Sequence, residues 1–362
     1  SSTFSADGSF NSIDIGKGAN SVAGNTVLGE NALDAAVTGA NNTAIGKAAL
    51  GANTSGTQNT AVGSLALDAN TTAANNTAVG YASLGANTTG TANVVVGSTA
   101  LDANTTGDSN VAIGHNSLSA NTTADSNTAV GRDSLRVNTT GAQNTAVGES
   151  ALSQNTTAGS NTGVGRRALF LNTTGSQNVA VGKDALDANT TATANVAVGT
   201  NSLGDNTTGA ANTAIGNVAL FHNTTGDENV AVGDSALENN TTGENNTAVG
   251  RRALEANTTA DDNTAVGRRT LLTNTTGTRN TAIGSLALDS NTTANDNTAV
   301  GRAALGATTT GHSLVAVGSL CLDHNTTGIG STAVGFEALT ANTTANYNTA
   351  VGHEALKLNT TG

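Results

Sequence analysis

Hydrophobic residues recur along this chain neither every two nor every 3.6 positions but in a 17-residue cycle. Taking the Asn of NTAVG as position 1, the consensus is NTAVGxxALxANTTGxx. Leucine occupies position 9 from Leu33 to Leu356, a span of nineteen 17-residue steps, so there are 20 units. The glycine at position 5 runs in the same register from Gly29 to Gly352 without an insertion. Residues 1–24 fall outside the period, although NSIDIG (residues 11–16) echoes NTVLG (residues 25–29) at the shorter distance of 13. They read as a degenerate N-terminal cap or joint, and residues 25–362 as the repeat array.

Seventeen residues is too short for a two-helix repeat, and Asn, Thr and Gly favour strands and turns over helix. The fold class expected is therefore all-β: a parallel β-solenoid, or β-roll, of about 20 coils. Alternation along a strand predicts Thr60 and Val62 on one side and Ala61 and Gly63 on the other. On this reading Val62, Val79 and Val96 join Leu67, Leu84 and Leu101 as inward core columns, with the xxALxANTT segment a second strand or extended edge. Gly63, Gly80 and Gly97 are expected to need positive φ or close backbone approach. Asn59, Asn76 and Asn93 at position 1, and Asn70, Asn87 and Asn104 at position 12, should form amide ladders between coils. At the strand spacing, 20 stacked coils would give a rod on the order of 100 Å. Two sizeable apolar side chains per coil is meagre cover for 17 ordered residues. Lateral association is expected to supply the deficit, with the small Ala and Gly side packing about an axis in a homotrimer.

Composition supports a thin interior. Aromatics are 2% of residues, and Trp, Met and Pro are absent, so any core is built from Ala, Val and Leu. The formal net charge of -12 argues against nucleic-acid partners and anionic membranes. No stretch approaches the roughly 20 apolar residues of a membrane helix, so no membrane insertion is expected, and the first residues lack the pattern of a signal peptide. The single cysteine, Cys321, cannot pair within the chain and stands where most units carry Ala. A start without Met and a stop on the last residue of an NTTG suggest a processed chain or a piece of a longer one. A bare solenoid end is a strand edge open to stacking, so Gly362 is not expected to be the true end of the fibre unless something covers it.

NTAVGSLALDANTTAANNTAVG resembles the repeats in tail-fibre proteins of tailed bacteriophages, especially marine ones, and FNSIDIGKGANSVAGNTVLGENAL resembles the way such arrays begin. That likeness covers the chain from about Phe10 to Gly362. It implies a virion fibre component, often followed by a self-cleaving intramolecular chaperone domain, with other fibre or tail proteins as neighbours. A second resemblance is to the head repeats of trimeric autotransporter adhesins, where SVAIGxxAxAxG recurs in a shorter coil. That likeness implies a homotrimer of left-handed parallel β-rolls on a bacterial surface. Here the pattern appears as NTAVGxxAL with a longer return.

Candidate chemistry is sparse, and the expectation is no catalytic, cofactor-binding or metal-binding residue. His115, His222, His312, His324 and His353 are scattered; His222 and His324 share a register but lie six coils apart, roughly 29 Å at the strand spacing. Carboxylates recur at position 10 (Asp68, Asp102, Asp187, Glu238, Glu255, Asp289 and Asp323), but other residues break the column and no GGxGxD calcium loop is present. Arginine pairs at positions 6 and 7 (Arg166 and Arg167, Arg251 and Arg252, Arg268 and Arg269) could meet an acidic glycan, but acids at the same corner (Glu149, Asp184 and Asp234) favour an ordinary solvated surface. The NTT triplets also spell N-glycosylation sequons at Asn70, Asn87 and Asn104, which an interior Asn ladder would contradict. Adjacent Thr71 and Thr72 should point to opposite sides, which weakens an ice-binding face.

The leading expectation is an extracellular structural fibre, part of a phage tail or side fibre that extends a receptor-binding tip for host attachment. A host surface receptor or glycan is then a possible partner. The alternative is a bacterial surface adhesin or extracellular filament subunit.

Overall fold

The computed structural model describes residues 8–361 and divides into two units, residues 1–178 and 179–362. Residues 1–7 of the expected cap and Gly362 at the array's end lie outside the described residues. Both units are parallel β-solenoid. In the first, nine parallel strands run from Thr26–Gly29 to Thr162–Val164; in the second, eleven run from Val179–Val181 to Thr349–Val351. Pairing is strictly 17 residues apart: Thr43 faces Thr60, Ala44 faces Ala61 and Ile45 faces Val62, and in the second unit Thr247 faces Thr264 and Val249 faces Val266.

The entry is built differently. Strand β1 (Gly8–Phe10) pairs antiparallel with β2 (Ile13–Gly16), which pairs antiparallel with β3 (Thr26–Gly29), setting Ile15 opposite Leu28. NSIDIG is thus not a shortened coil, despite its likeness to NTVLG. It is a strand of opposite direction that occupies the free edge of the first coil.

Two inside/outside assignments are corrected. Ala, not Val, points inward from the strand: Ala61 and Ala78 are fully buried, Val62 and Val79 are half-buried and outward, and Val96 is 40% exposed. The physical reason is strand parity. Position 3 faces the Ala-Leu pair at positions 8 and 9 inside the coil and is buried whether it carries Ala61 or, in two coils, Val27 or Val95, so positions 2 and 4 on either side of it stand outside. The inner face is therefore the Ala face, and it is closed within each chain and unavailable for packing about an axis.

Among the described residues no second strand follows in the coil. Positions 6–11 form turns, with positions 7 and 9 both left-handed: φ is 61° at Leu65 and 51° at Leu67. Left-handed backbone costs an L-residue roughly 1–2 kcal/mol. Leu67, Leu84 and Leu101 occupy it because it turns their side chains fully inside, where burial contributes roughly 1.5–3 kcal/mol each. Coil-to-coil bonding continues through the turns: the Leu67 N–H donates to the Ser83 carbonyl at 3.1 Å and the Leu84 N–H to the Ala100 carbonyl at 3.0 Å.

Glycine at position 5 follows the strand with φ of 141° at Gly63, 137° at Gly80 and 146° at Gly97, a backbone reserved for glycine. A Cβ on Gly80 would lie 2.6 Å from the Gly97 carbonyl carbon. The column is fixed twice over, by torsion and by the glycine of the coil above.

Candidate functional site: asparagine ladders and the outer strand face

Asparagine at positions 1 and 12 is buried in coil after coil, so its amide must be satisfied inside. At position 1 the side-chain oxygen accepts from the next coil's backbone: the Asn76 N–H donates to Asn59 Oδ1 at 3.0 Å, and the Asn93 N–H to Asn76 Oδ1 at 2.9 Å. The nitrogen crosses the coil: Asn76 Nδ2 donates to the Gly90 carbonyl at 2.9 Å. At position 12 the amides join side chain to side chain, with Asn87 Nδ2 donating to Asn70 Oδ1 at 3.1 Å and Asn104 Nδ2 to Asn87 Oδ1 at 2.9 Å. Asn87 Nδ2 also reaches the Gly90 carbonyl at 2.9 Å. The two columns thus clamp the position-15 carbonyl, where every unit carries Gly or Ala. Because the sequon residues Asn70, Asn87 and Asn104 are fully buried, their nitrogens are not presented for glycosylation.

Two further ladders escaped the sequence reading. Threonine at position 13 donates its hydroxyl to the next coil's position-13 carbonyl, as Thr88 Oγ1 does to Thr105 O at 3.0 Å. Where position 16 is Asp or Asn, its carboxyl or amide oxygen accepts the position-16 N–H of the preceding coil: Thr91 N donates to Asp108 at 2.6 Å, and Thr278 N to Asn295 at 2.7 Å. The recurrence of Asp and Asn at that position was the available signal.

The outer strand face carries Thr or Val at position 2 and Val or Ile at position 4, with Leu28 the exception in the first unit of the array. Neither column holds a charge. Val147, Ile215 and Ile283 on it are 36%, 40% and 42% exposed. Each solenoid unit therefore presents a neutral, largely β-branched stripe along its parallel strands.

The titratable groups do not converge. His222 and His324 are not brought together: His222 bonds Asp205 at 2.8 Å, and no group of three His, Cys, Asp or Glu suited to a metal occurs among the described residues. Burial raises the carboxyls of Asp68, Asp102, Asp289 and Asp323 above the ordinary aspartate value. Cys321 is fully buried in place of the usual Ala, with its thiol pushed up to about 11 by desolvation. Ion pairs at the position-6 corner are exposed and link neighbouring coils, as in Lys47 with Glu30 and Arg251 with Asp234, both at 3.3 Å. Exposed pairs of this kind add little stability. No helix among the described residues is long and apolar enough to cross a membrane.

This arrangement holds a backbone in register through its asparagine columns and presents an outer Thr/Val strand face. No protein-family model and no curated protein matches the chain.

Proposed function

We propose that this chain is a non-enzymatic structural shaft, part of an extracellular fibre of the phage tail or side-fibre kind that carries a receptor-binding tip away from the particle. The observation that carries the reading is the unbroken 17-residue register: strands, glycine column and both asparagine ladders repeat without a loop in which a site could be built. Repeats that contact only their neighbours make extension, not enclosure, the natural product of such a chain. The resemblance of NTAVGSLALDANTTAANNTAVG to tail-fibre repeats supports the same reading.

Lateral self-association belongs to this proposal, with a homotrimer the expected assembly. Its contact surface is the outer Thr/Val face and not the Ala/Gly side, because the alanines are consumed inside the coil. Other fibre or tail proteins at the ends, and a host receptor or glycan beyond the tip, complete the set of partners.

Immuno-electron microscopy of native source material tests the location. Label on fibres projecting from tailed particles is the expected result. Label on cell surfaces or free filaments would replace this reading with the adhesin or filament one.

A further inference from the structure

The outer face has two edges of opposite charge. Next to position 4, position 6 carries seven Lys or Arg against three Asp or Glu over the whole array. Next to position 2, positions 16 and 17 together carry eight Asp or Glu against one Arg. Position 7, one residue further round the corner, is mixed, with three Arg against four acids. The second unit shows the contrast most clearly: Arg251, Arg268 and Arg302 are exposed on one edge and Glu228, Glu244 and Asp262 on the other.

The edges do not neutralise one another within a chain. They are separated by six residues of mostly extended backbone, about 20 Å, against a Debye length of about 8 Å at physiological salt. The ion pair that Arg251 makes is with Asp234 of its own position-6 column, not with a carboxylate at position 16 or 17. Arg268 makes no ion pair among the described residues, and neither do Glu228, Glu244 or Asp262. Between the edges lies the uncharged Thr/Val stripe.

We infer that the face is a heterologous interface for a second copy of this chain running in the same direction, the position-6 edge of one copy against the position-16/17 edge of the next. An isologous antiparallel pair has no such need, because a two-fold axis through the face sets each edge against its own kind, Arg against Arg. A rotation about an axis parallel to the stacking direction of the coils sets unlike edges together, and repeating it closes a ring. Same-direction packing also keeps the coils of both chains at one spacing, so every coil can contribute. Eleven strands at about 4.8 Å by about 20 Å of width give the second unit a face of about 1,000 Å² per chain; shared between the two neighbours of a ring, it buries roughly 1,000 Å² in total at each contact, the lower bound of a specific interface. The apolar stripe supplies contact area, and the charged edges select polarity and neighbour, as rim charges do.

This inference rests on the lateral self-association proposed above, and the test separates the two. Three variants of the full chain are compared with the parent by sedimentation velocity and native mass spectrometry at low and physiological salt, with circular dichroism confirming the fold. Arg251→Glu/Arg268→Glu/Arg302→Glu should weaken association by about tenfold or more. Glu228→Lys/Glu244→Lys/Asp262→Lys should do the same, and the chain with all six changes, its edges exchanged, should recover. A fourth variant, Val249→Asp/Val266→Asp, reads the stripe itself and should dissociate the assembly with its edges intact. Folded triple variants that associate like the parent, or a six-fold variant that fails to recover, overturn the charged-edge inference. Loss of association in the Val variant alone then leaves lateral packing standing. A parent chain monomeric at every concentration and salt overturns both.

Discussion

Asn59 and Asn70 donate to one oxygen: the Ala73 carbonyl accepts Asn59 Nδ2 at 2.8 Å and Asn70 Nδ2 at 3.2 Å. Asn70 Oδ1 meanwhile accepts from Asn87 in the next coil. Asn70 Nδ2 also donates to Asn53 Oδ1 in the coil before, at 2.9 Å. Removing the Asn70 amide therefore strips a donor from its own coil and from the coil before, and an acceptor from the coil after. Each buried polar group left unsatisfied costs about 1–3 kcal/mol. Asn70→Ala should accelerate amide exchange in the coils that contain Asn53, Asn70 and Asn87 and leave coils several repeats away unchanged, as nearest-neighbour coupling requires. Uniform loss of protection across the first unit would show that stability is not local.

Leu152 and Val147 make a second contrast. Leu152 is fully buried, whereas Val147 is 36% exposed on the outer face. Leu152→Ala should cost about 2–5 kcal/mol and open its coil to protease. Val147→Ala should cost well under half as much in the isolated chain, because Val147 is not part of the interior. Equal protease sensitivity of the two variants would put Val147 back in the core.

That pair also marks how far the sequence was legible. Period, parallel coil class, leucine column, glycine torsion and asparagine bonding follow from strict recurrence, since stacked identical residues must either bond one another or pack. What recurrence does not encode is which side of a three-residue strand faces in. Val62 is the more hydrophobic candidate, and hydrophobicity pointed it inward. Strand parity decides it: the chain closes through left-handed turns at positions 7 and 9 with position 3 inside, whether that position carries Ala61 or Val95. Leucine in left-handed backbone contradicts local propensity, so those turns were not readable from residue type, and a second strand was expected in their place.

Gly163 replaces the inward Ala in one coil. Its φ lies outside the left-handed region, and a Cβ there would lie 3.2 Å from the Ala168 carbonyl oxygen and 3.3 Å from Leu152 Cγ. Ala146 occupies the same register one coil before and is fully buried, so the lattice of the coil accepts a methyl group after a shift of a few tenths of an ångström. Gly163→Ala should stabilise the chain by about 0.4–1 kcal/mol through lost freedom of the unfolded chain, read as slower local exchange in its coil. Faster exchange would mean that the neighbours of Gly163 cannot yield.

The pH response should be opposite for two sets of carboxyls. Asp68, Asp102, Asp289 and Asp323 are raised chiefly by burial, so the folded chain binds protons more readily than the unfolded one. Their ionisation therefore opposes folding at neutral pH, and this penalty is relieved as pH falls through their folded values towards the ordinary 3.8. Asp296, lowered by its hydrogen bond to Arg279, and Glu354, lowered by Lys357, act in the reverse sense. Their contribution is present above the ordinary carboxylate range and lost as pH drops through their folded values, and both are exposed pairs that count for little. Mild acidification from neutral should accordingly raise the denaturation midpoint. Asp68→Asn/Asp102→Asn/Asp289→Asn/Asp323→Asn should flatten that rise while increasing stability at neutral pH. A parent chain that weakens steadily from neutral downward, with the fourfold variant following the same curve, would show that these position-10 carboxyls carry no burial penalty.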